Sequence, residues 1–329
     1  MSISNIVIVA GPEDLHALAV QQAVVKMGGA CAVVDFREID KDISLEADLD
    51  VSSDRSSQGH ASVFLGAFAD LEFSAATSVW LRRPMLPIAQ YSIRDPRYRS
   101  FIRAEWRAAL MGLTRLSGCN CVNDPIAEEQ ATLKPAQLSA AHRVGLRIPK
   151  TLVTNSATRC QAFIDLNRRS GRRTIFKPLT PPLDRLGEVR SIETVEAYRE
   201  ELELAPVIFQ ECIERGMDIR VTYVDGECFS ANILSDHEAL IDWRSDPNVV
   251  YERTTLANAV ENGLRRLMCS LGLRVGCIDL RIGRDGTVYF FEVNPSGQFL
   301  FMDLELDLPV AAAVARALLR NPASRQSYK

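Results

Sequence analysis

The chain has 329 residues, 47% of them hydrophobic, with 38 Lys and Arg against 42 Asp and Glu and a formal charge of −4. That length suits two or three domains with sizeable cores, and the acidic balance speaks against the basic footprint of a nucleic-acid binder. No apolar run approaches a membrane span, and the eight cysteines form no Cys-x-x-Cys or Cys/His cluster, so reduced thiols and a cytoplasmic protein are expected.

Ile6-Val-Ile-Val-Ala10 reads as a buried strand, 14–27 as a helix and Ala30-Cys-Ala-Val-Val-Asp-Phe36 as a second strand. Strand, helix, strand implies a parallel α/β unit. Residues 40–62 are polar and read as irregular or as an edge hairpin. The strand Ser78-Val-Trp-Leu81 then ends in Arg82-Arg83-Pro84, which puts two arginines where α/β folds bind ligands. A basic loop carrying Arg94, Arg97 and Arg99 leads into an amphipathic helix with Phe101, Ala104, Ala108 and Met111 on one face. Arg97 and Arg103 could there meet an acidic partner.

Beyond Pro125, the helix over 127–144 carries Lys134 and is followed by a strand over 146–154 and a helix from Asn155. Thr174-Ile-Phe-Lys-Pro-Leu179 is a strand with Lys177 inside it, and a lysine there is costly to bury unless an anion pairs with it. Val207-Ile-Phe-Gln210 runs into Glu211-Cys-Ile-Glu214, an apolar strand ending in a polar segment that suits a hinge. Asp225-Gly226 closes a two-residue hairpin loop after Asp218 and Arg220, which share a face.

The helix over 256–271 precedes the most informative stretch, Val275-Gly-Cys-Ile-Asp-Leu-Arg-Ile282, a turn over 283–286, and Thr287-Val-Tyr-Phe-Phe-Glu-Val-Asn294. If the turn pairs Ile282 with Thr287, Asp279 lies opposite Phe290, and Phe290, Glu292 and Asn294 share its face. Two carboxylates and an amide are hard oxygen ligands suited to Mg²⁺, which keeps waters and takes its other ligands from phosphates. Lys134, Lys177, Arg220 and Arg244 supply the cations that phosphates need.

The order of these segments resembles the ATP-grasp superfamily over most of the chain, from about 78 to 308. The likeness to the microviridin-type ligases that mature ribosomal peptides rests on Ser78-Val-Trp-Leu-Arg-Arg-Pro84, Lys134-Pro-Ala-Gln-Leu138, Gly145-Leu-Arg-Ile-Pro-Lys-Thr-Leu-Val-Thr-Asn155, Ile241-Asp-Trp-Arg244 and Asn294-Pro-Ser-Gly-Gln298. The resemblance implies an α/β (α+β) ATP-grasp fold with an N-terminal α/β domain over 1–125, a central lobe over 126–209 and a C-terminal lobe over 210–329.

It further implies that Lys134 and Lys177 contact ATP phosphates and that Gln210, Glu211, Cys212 and Ile213 receive adenine, with Glu214 or Asp218 as the ribose acceptor. Arg220 would act at the transferring phosphoryl group and Arg244 on an acyl phosphate, while Asp279, Glu292 and Asn294 would hold Mg²⁺. Arg82, Arg83, Arg97 and Arg103 are candidates for substrate binding. Where many relatives have a Gly-rich flap, this chain has Thr180-Pro-Pro-Leu-Asp-Arg-Leu-Gly187.

The implied activity is ADP-forming ligation, in which Asp or Glu side chains of a precursor peptide are activated as acyl phosphates and closed into esters or amides. A glutamate-ligase-like addition of a free amino acid is the alternative, and an ATP-binding scaffold the non-enzymatic one. A homodimer is what the resemblance suggests.

Overall fold

The computed structural model describes residues 5–35, 43–48, 60–65, 68–73, 77–83, 93–116, 118–180, 189–235, 243 and 246–320. The chain divides into two compact units, Met1–Ala127 with Gln298–Lys329, and Glu128–Gly297.

The first unit holds a parallel sheet of β1 (Asn5–Val9), β2 (Ala30–Val34), β6 (Thr77–Leu81) and β7 (Asn120–Cys121), in the order β2-β1-β6-β7. Helix α1 (Leu15–Lys26) starts at Asp14, whose carboxylate accepts from the backbone N–H groups of His16 and Ala17 at 2.9 and 3.2 Å. Such a cap satisfies donors that the first turn leaves open. A three-stranded antiparallel sheet is formed by β3 (Ile43–Asp48), β4 (His60–Leu65) and β5 (Phe68–Phe73), and its β3–β4 pair takes the hairpin form of the two expected for the polar stretch.

Two further differences arise in this unit. Helix α2 (Pro96–Leu116) turns Trp106 and Leu110 toward the sheet, while Phe101 is 62% exposed and Ala104 and Ala108 are also exposed. The expected apolar face is thus the outer one, because the bulkier Trp106 and Leu110 bury more area than a stripe containing two alanines. Residues 298–329 were assigned with the C-terminal lobe, but α8 (Leu300–Leu306) and α9 (Val310–Leu319) pack on α1, and α9 on β6. Ser78 Oγ donates to Leu318 O at 2.6 Å, and Asn120 Nδ2 to Ser78 Oγ at 2.9 Å.

Among the described residues the second unit has two antiparallel sheets. The smaller combines β8 (Thr151–Thr154), β9 (Thr174–Lys177), β10 (Arg190–Ile192) and β11 (Val207–Glu211) in the order β10-β9-β11-β8, with α5 (Ala157–Arg169) and α6 (Arg199–Leu204) packed on it. The larger runs β14-β13-β12-β15-β16, from β12 (Arg215–Val224), β13 (Glu227–Leu234), β14 (Val250–Thr254), β15 (Val275–Gly283) and β16 (Val288–Asn294). As expected for Asp-Gly, Asp225 and Gly226 take φ of 45° and 98° in the β12–β13 turn.

One face of the larger sheet, with Ile219, Val221, Ile278, Leu280, Phe290 and Val293, packs into a core with Leu138 of α4 (Lys134–Arg143) and Leu264, Leu267 and Met268 of α7 (Asn258–Ser270). Alternation sends the intervening side chains to the opposite face. Among the described residues, no helix is long and apolar enough to cross a membrane.

Candidate active site

That opposite face is a polar ladder. Arg220, Asp279 and Glu292 are register partners across β12, β15 and β16, and the next row is Thr222, Cys277 and Asn294. On the other side of the arginine row, Asp218 pairs with Arg281.

The register corrects the expected one. Ile282 pairs with Val288, Leu280 with Phe290 and Asp279 with Glu292, so Phe291 is an extra residue in β16. A bulge of this kind reverses the alternation. It leaves Phe290 1% exposed in the core while its neighbour but one, Glu292, joins Asp279 on the ladder. Phe291 lies under Arg281, whose Cζ is 5.3 Å from the ring centroid.

The ladder forms one wall of a cleft of about 400 Å³, the smaller sheet supplying Ile175, Lys177 and Gln210 to the lining. Lys134, Glu211, Cys212, Ile213, Asp218, Asp279, Glu292 and Asn294 also line it. Lys134, the first residue of α4, points Nζ toward Glu292 Oε2 at 3.7 Å and donates to Pro178 O at 3.4 Å. Lys177 is 9% exposed.

Arg220, 5% exposed, donates from Nη1 to Asp279 Oδ1 at 2.6 Å. Burial works against its charge, but Asp279, Cys277 and Glu292 more than offset this and raise its pKa. It is therefore a fixed cation, aimed at the carboxylate row.

The connection from β11 to β12 is held on several sides. Gln210 Nε2 donates to Thr151 Oγ1 at 2.8 Å, and Glu211 accepts from the Lys150 N–H at 3.0 Å and from Arg172. The backbone N–H groups of Glu211 and Cys212 donate to Lys150 O and Arg173 O, both at 2.9 Å. Ile213 has no internal acceptor for its N–H among the described residues, while its carbonyl accepts from Arg281 Nη1 at 3.1 Å.

Of the two ribose candidates, Asp218 lines the cleft and takes a forked pair of bonds from Arg281, at 2.6 and 3.0 Å. Glu214 is absent from that lining, with a side chain 64% exposed and 3.7 Å from Arg284.

The donor set suits a magnesium ion. Asp279 and Glu292 are cross-strand neighbours, Asn294 follows on the same face, and among the described residues Asn294 Oδ1 accepts the Ser296 N–H alone, at 3.1 Å, leaving a carbonyl lone pair. Among the described residues no three His, Cys, Asp or Glu side chains converge. A site with few protein ligands is what an ion that retains water and shares phosphate oxygens requires.

The remaining candidates fall elsewhere. Arg244 and the flap residues 181–187 lie outside the described residues. Arg82, Arg83, Arg97 and Arg103 belong to the first unit and do not line this cleft. Arg82 is 1% exposed, 3.6 Å from Asp14 Oδ2 and within 5.8 and 6.0 Å of the Trp80 and Phe299 ring centroids. Arg83 and Arg103 are exposed, and Arg97 is exposed beside Asp95 at 2.7 Å.

Three contributors were not singled out from the sequence as site residues: Gln137, Arg281 and Phe291. Arg281 alternates with Asp279, and Gln137 lies three residues after Lys134, so strand and helix periodicity could have placed both beside the site. Nothing in the local sequence marks the Phe291 bulge.

No protein-family model and no curated protein matches the chain. Among solved structures it is similar to the macrocyclase MdnC of Microcystis aeruginosa MRC bound with precursor peptide MdnA, at 24% identity, 96% of this chain and 99% of that one, TM-score 0.80. It is also similar to a RiPP-associated ATP-grasp ligase of Chryseobacterium gregarium in complex with ADP and a leader and core peptide, at 21% identity, 96% and 97% coverage, TM-score 0.80. The chain has the ATP-grasp fold. A third similar structure is the ATP-grasp ligase PsnB complexed with minimal precursor, Mg and ADP, at 23% identity, 96% of each chain and TM-score 0.76. In this ATP-grasp chain the cleft lies between the two antiparallel sheets of the second unit.

Proposed function

We propose that the protein is an ATP- and Mg²⁺-dependent ligase that activates Asp or Glu side chains of a precursor peptide and closes them into ester or amide crosslinks. The observation that carries this reading is the row Arg220, Asp279 and Glu292, capped by Lys134 at 3.7 Å. Two carboxylates stand there in one line between two cations, an arrangement suited to phosphoryl transfer, where positioning and charge stabilisation do most of the work. Similar structures that hold ADP, Mg and precursor peptides support the choice of ligands.

In this reading the Ile213 N–H and neighbouring hinge backbone meet adenine, and Asp218, fixed by Arg281, accepts a ribose hydroxyl. Lys134 and Lys177 hold phosphates, while Asp279, Glu292 and Asn294 hold Mg²⁺, which neutralises phosphate charge when bound. A peptide carboxylate oxygen attacks the γ-phosphorus and ADP leaves. An amine or hydroxyl then attacks the acyl carbon, phosphate departs, and the nucleophile's proton passes to solvent or phosphate. Arg220 stabilises the charge on the transferring group, and Arg244 is assigned to the acyl phosphate.

Arg83, Arg97 and Arg103 are assigned to peptide carboxylates, with Tyr98 and Phe101, 63% and 62% exposed on the same helix as Arg97 and Arg103, as apolar contacts. Arg82, enclosed by Asp14 and two rings, instead holds the strand end that presents Arg83. A cytoplasmic homodimer completes the proposal, and sedimentation of the purified chain tests its oligomeric part.

The decisive experiment incubates the protein with ATP, Mg²⁺ and Asp/Glu-rich peptides and reads peptide mass. Loss of one water per bond, absent in an Asp279→Ala/Glu292→Ala variant, is the expected result. ADP release that depends on a free amino acid, without peptide dehydration, would move the assignment to a glutamate-ligase-like enzyme. Nucleotide binding with no acceptor-dependent turnover would leave a scaffold.

A further inference from the structure

Gln137 is 2% exposed, yet both polar atoms of its amide are bonded. Nε2 donates to Val293 O at 2.8 Å and to Ala131 O, while Oε1 accepts from the Val293 N–H at 3.0 Å. One side chain thus engages both backbone groups of a single residue, and that residue stands between Glu292 and Asn294. β16 is the last strand of its sheet among the described residues, its outer edge meets Arg147 in an isolated bridge at Tyr289 and Phe290, and a buried backbone group left unpaired further along, at Val293, would cost about 1–3 kcal/mol.

The same glutamine sits one turn after Lys134 on α4, and residues three apart lie on one helix face. Its bonds therefore tie three elements together: the end of α3 (Pro125–Ala131), the helix that starts with Lys134, and the strand carrying Glu292 and Asn294. A two-point clamp fixes rotation of the strand backbone as well as its distance from the helix. The rotation decides whether Glu292 and Asn294 aim with Asp279, and the distance sets the gap between Lys134 and Glu292. Since Phe291 is bulged just before this point, the strand reaches Val293 with its ladder already interrupted.

We propose that Gln137 is a positioning residue for the magnesium-nucleotide site, holding Val293 so that Glu292 and Asn294 present their oxygens beside the Lys134 cation. The inference rests on the assignment of that site to Mg²⁺ and ATP. Gln137 itself touches neither.

Gln137→Glu tests it with little change in shape: the carboxylate still accepts from the Val293 N–H but loses both donations to carbonyl oxygens. Gln137→Leu removes all three bonds. ADP binding is measured by calorimetry across a Mg²⁺ titration, beside thermal melting. Outer partners of metal ligands typically carry 10–100-fold in metal affinity. The Mg²⁺ concentration for half-maximal tight ADP binding is therefore expected to rise at least tenfold in Gln137→Glu, with ADP binding in the absence of Mg²⁺ changed far less.

A variant that melts earlier but keeps the wild-type Mg²⁺ dependence would overturn the proposal and leave a structural role. Should both variants fail to fold, amide exchange of Val293 in the wild type decides: protection equal to that of core strand β15 is expected without ligand, and exchange at the rate of an open strand edge overturns the clamp. A wild type that binds ADP without any Mg²⁺ dependence would instead remove the site assignment on which the inference stands.

Discussion

Two arginines, one in each unit, are almost equally buried, Arg220 at 5% and Arg82 at 1% exposure, and they do different work. Arg220 shares a strand-to-strand row with Asp279, which it meets at 2.6 Å, and the row continues to Glu292. Arg82 has Asp14 at the longer distance of 3.6 Å and is enclosed by aromatic rings. Burying a guanidinium is costly unless its partners are well placed. A row of a cation and two carboxylates that opens into a cleft leaves that cost recoverable by a ligand, whereas an enclosed cation against rings stabilises only its own surroundings. Burial alone does not separate a site from a scaffold; the direction in which the partners open does.

The strongest test of that contrast exchanges each arginine in turn. Arg220→Ala is expected to lower acceptor-dependent ADP release by about a hundredfold or more, the scale for losing one preorganised electrostatic contact. Arg82→Met should instead lower the melting temperature, since each of its two aromatic contacts contributes about 0.5–2 kcal/mol, and leave turnover of the folded enzyme nearly unchanged. An Arg82→Met protein that melts normally yet is inactive would break the distinction.

A smaller effect comes from behind Arg220. A Cβ at Gly297 would stand 2.4 Å from Cys277 Cβ and 2.8 Å from Arg220 Nη2. Overpacking of this kind costs about 1–3 kcal/mol, and because Cys277 Cβ is fixed to the β15 backbone, the turn at Gly297 must shift and press on the Arg220 guanidinium. Gly297→Ala should therefore lower turnover roughly tenfold with ADP affinity nearly intact, measured by kinetics beside calorimetry.

Near Arg82, the comparison can be sharpened with pH. Burial, helped by the Arg82 charge, lowers His16 from 6.5 to about 4. The folded state thus prefers neutral imidazole, and the unfolded chain takes up the proton first as pH falls. Stability from this group is present above about 6.5 and is lost between there and about 4. The melting temperature should fall across that window, and His16→Gln should flatten that part of the profile.

The smallest expected effect lies on the open face of α2. Charge reversal of Arg97 and Arg103 together should weaken peptide binding only a few-fold at low salt and less at high salt, because exposed charges are screened. Phe101→Ser should weaken it at both salt concentrations. Unchanged affinity in both variants would exclude this face from peptide docking.

Much of the architecture was readable from residue order. Asp14 and Gly28 bracket α1, and Asp225-Gly226 marks its hairpin, because caps and tight turns depend on a few adjacent residues. Lys134, Lys177, Asp279 and Glu292 stood out as polar residues in apolar segments, and the cleft collects them. Which face of α2 would be buried was not readable, since two stripes satisfy the same helical period and only packing against β4 and the parallel sheet chooses between them.

The sequence by itself determined the elements, their order and the chemistry available to them, because propensity, turn residues and charge are local properties. Tertiary structure alone decided the registration of that chemistry. The Phe291 bulge exists because Phe290 is drawn into the core with α4 and α7 while Glu292 stays with Asp279, a compromise between contacts far apart in the chain. Likewise Gln137 meets Val293 across 156 residues, and Arg281 meets Asp218 across 63. Hydrogen bonds of that separation follow from how sheets and helices dock, and no local pattern of residues encodes them.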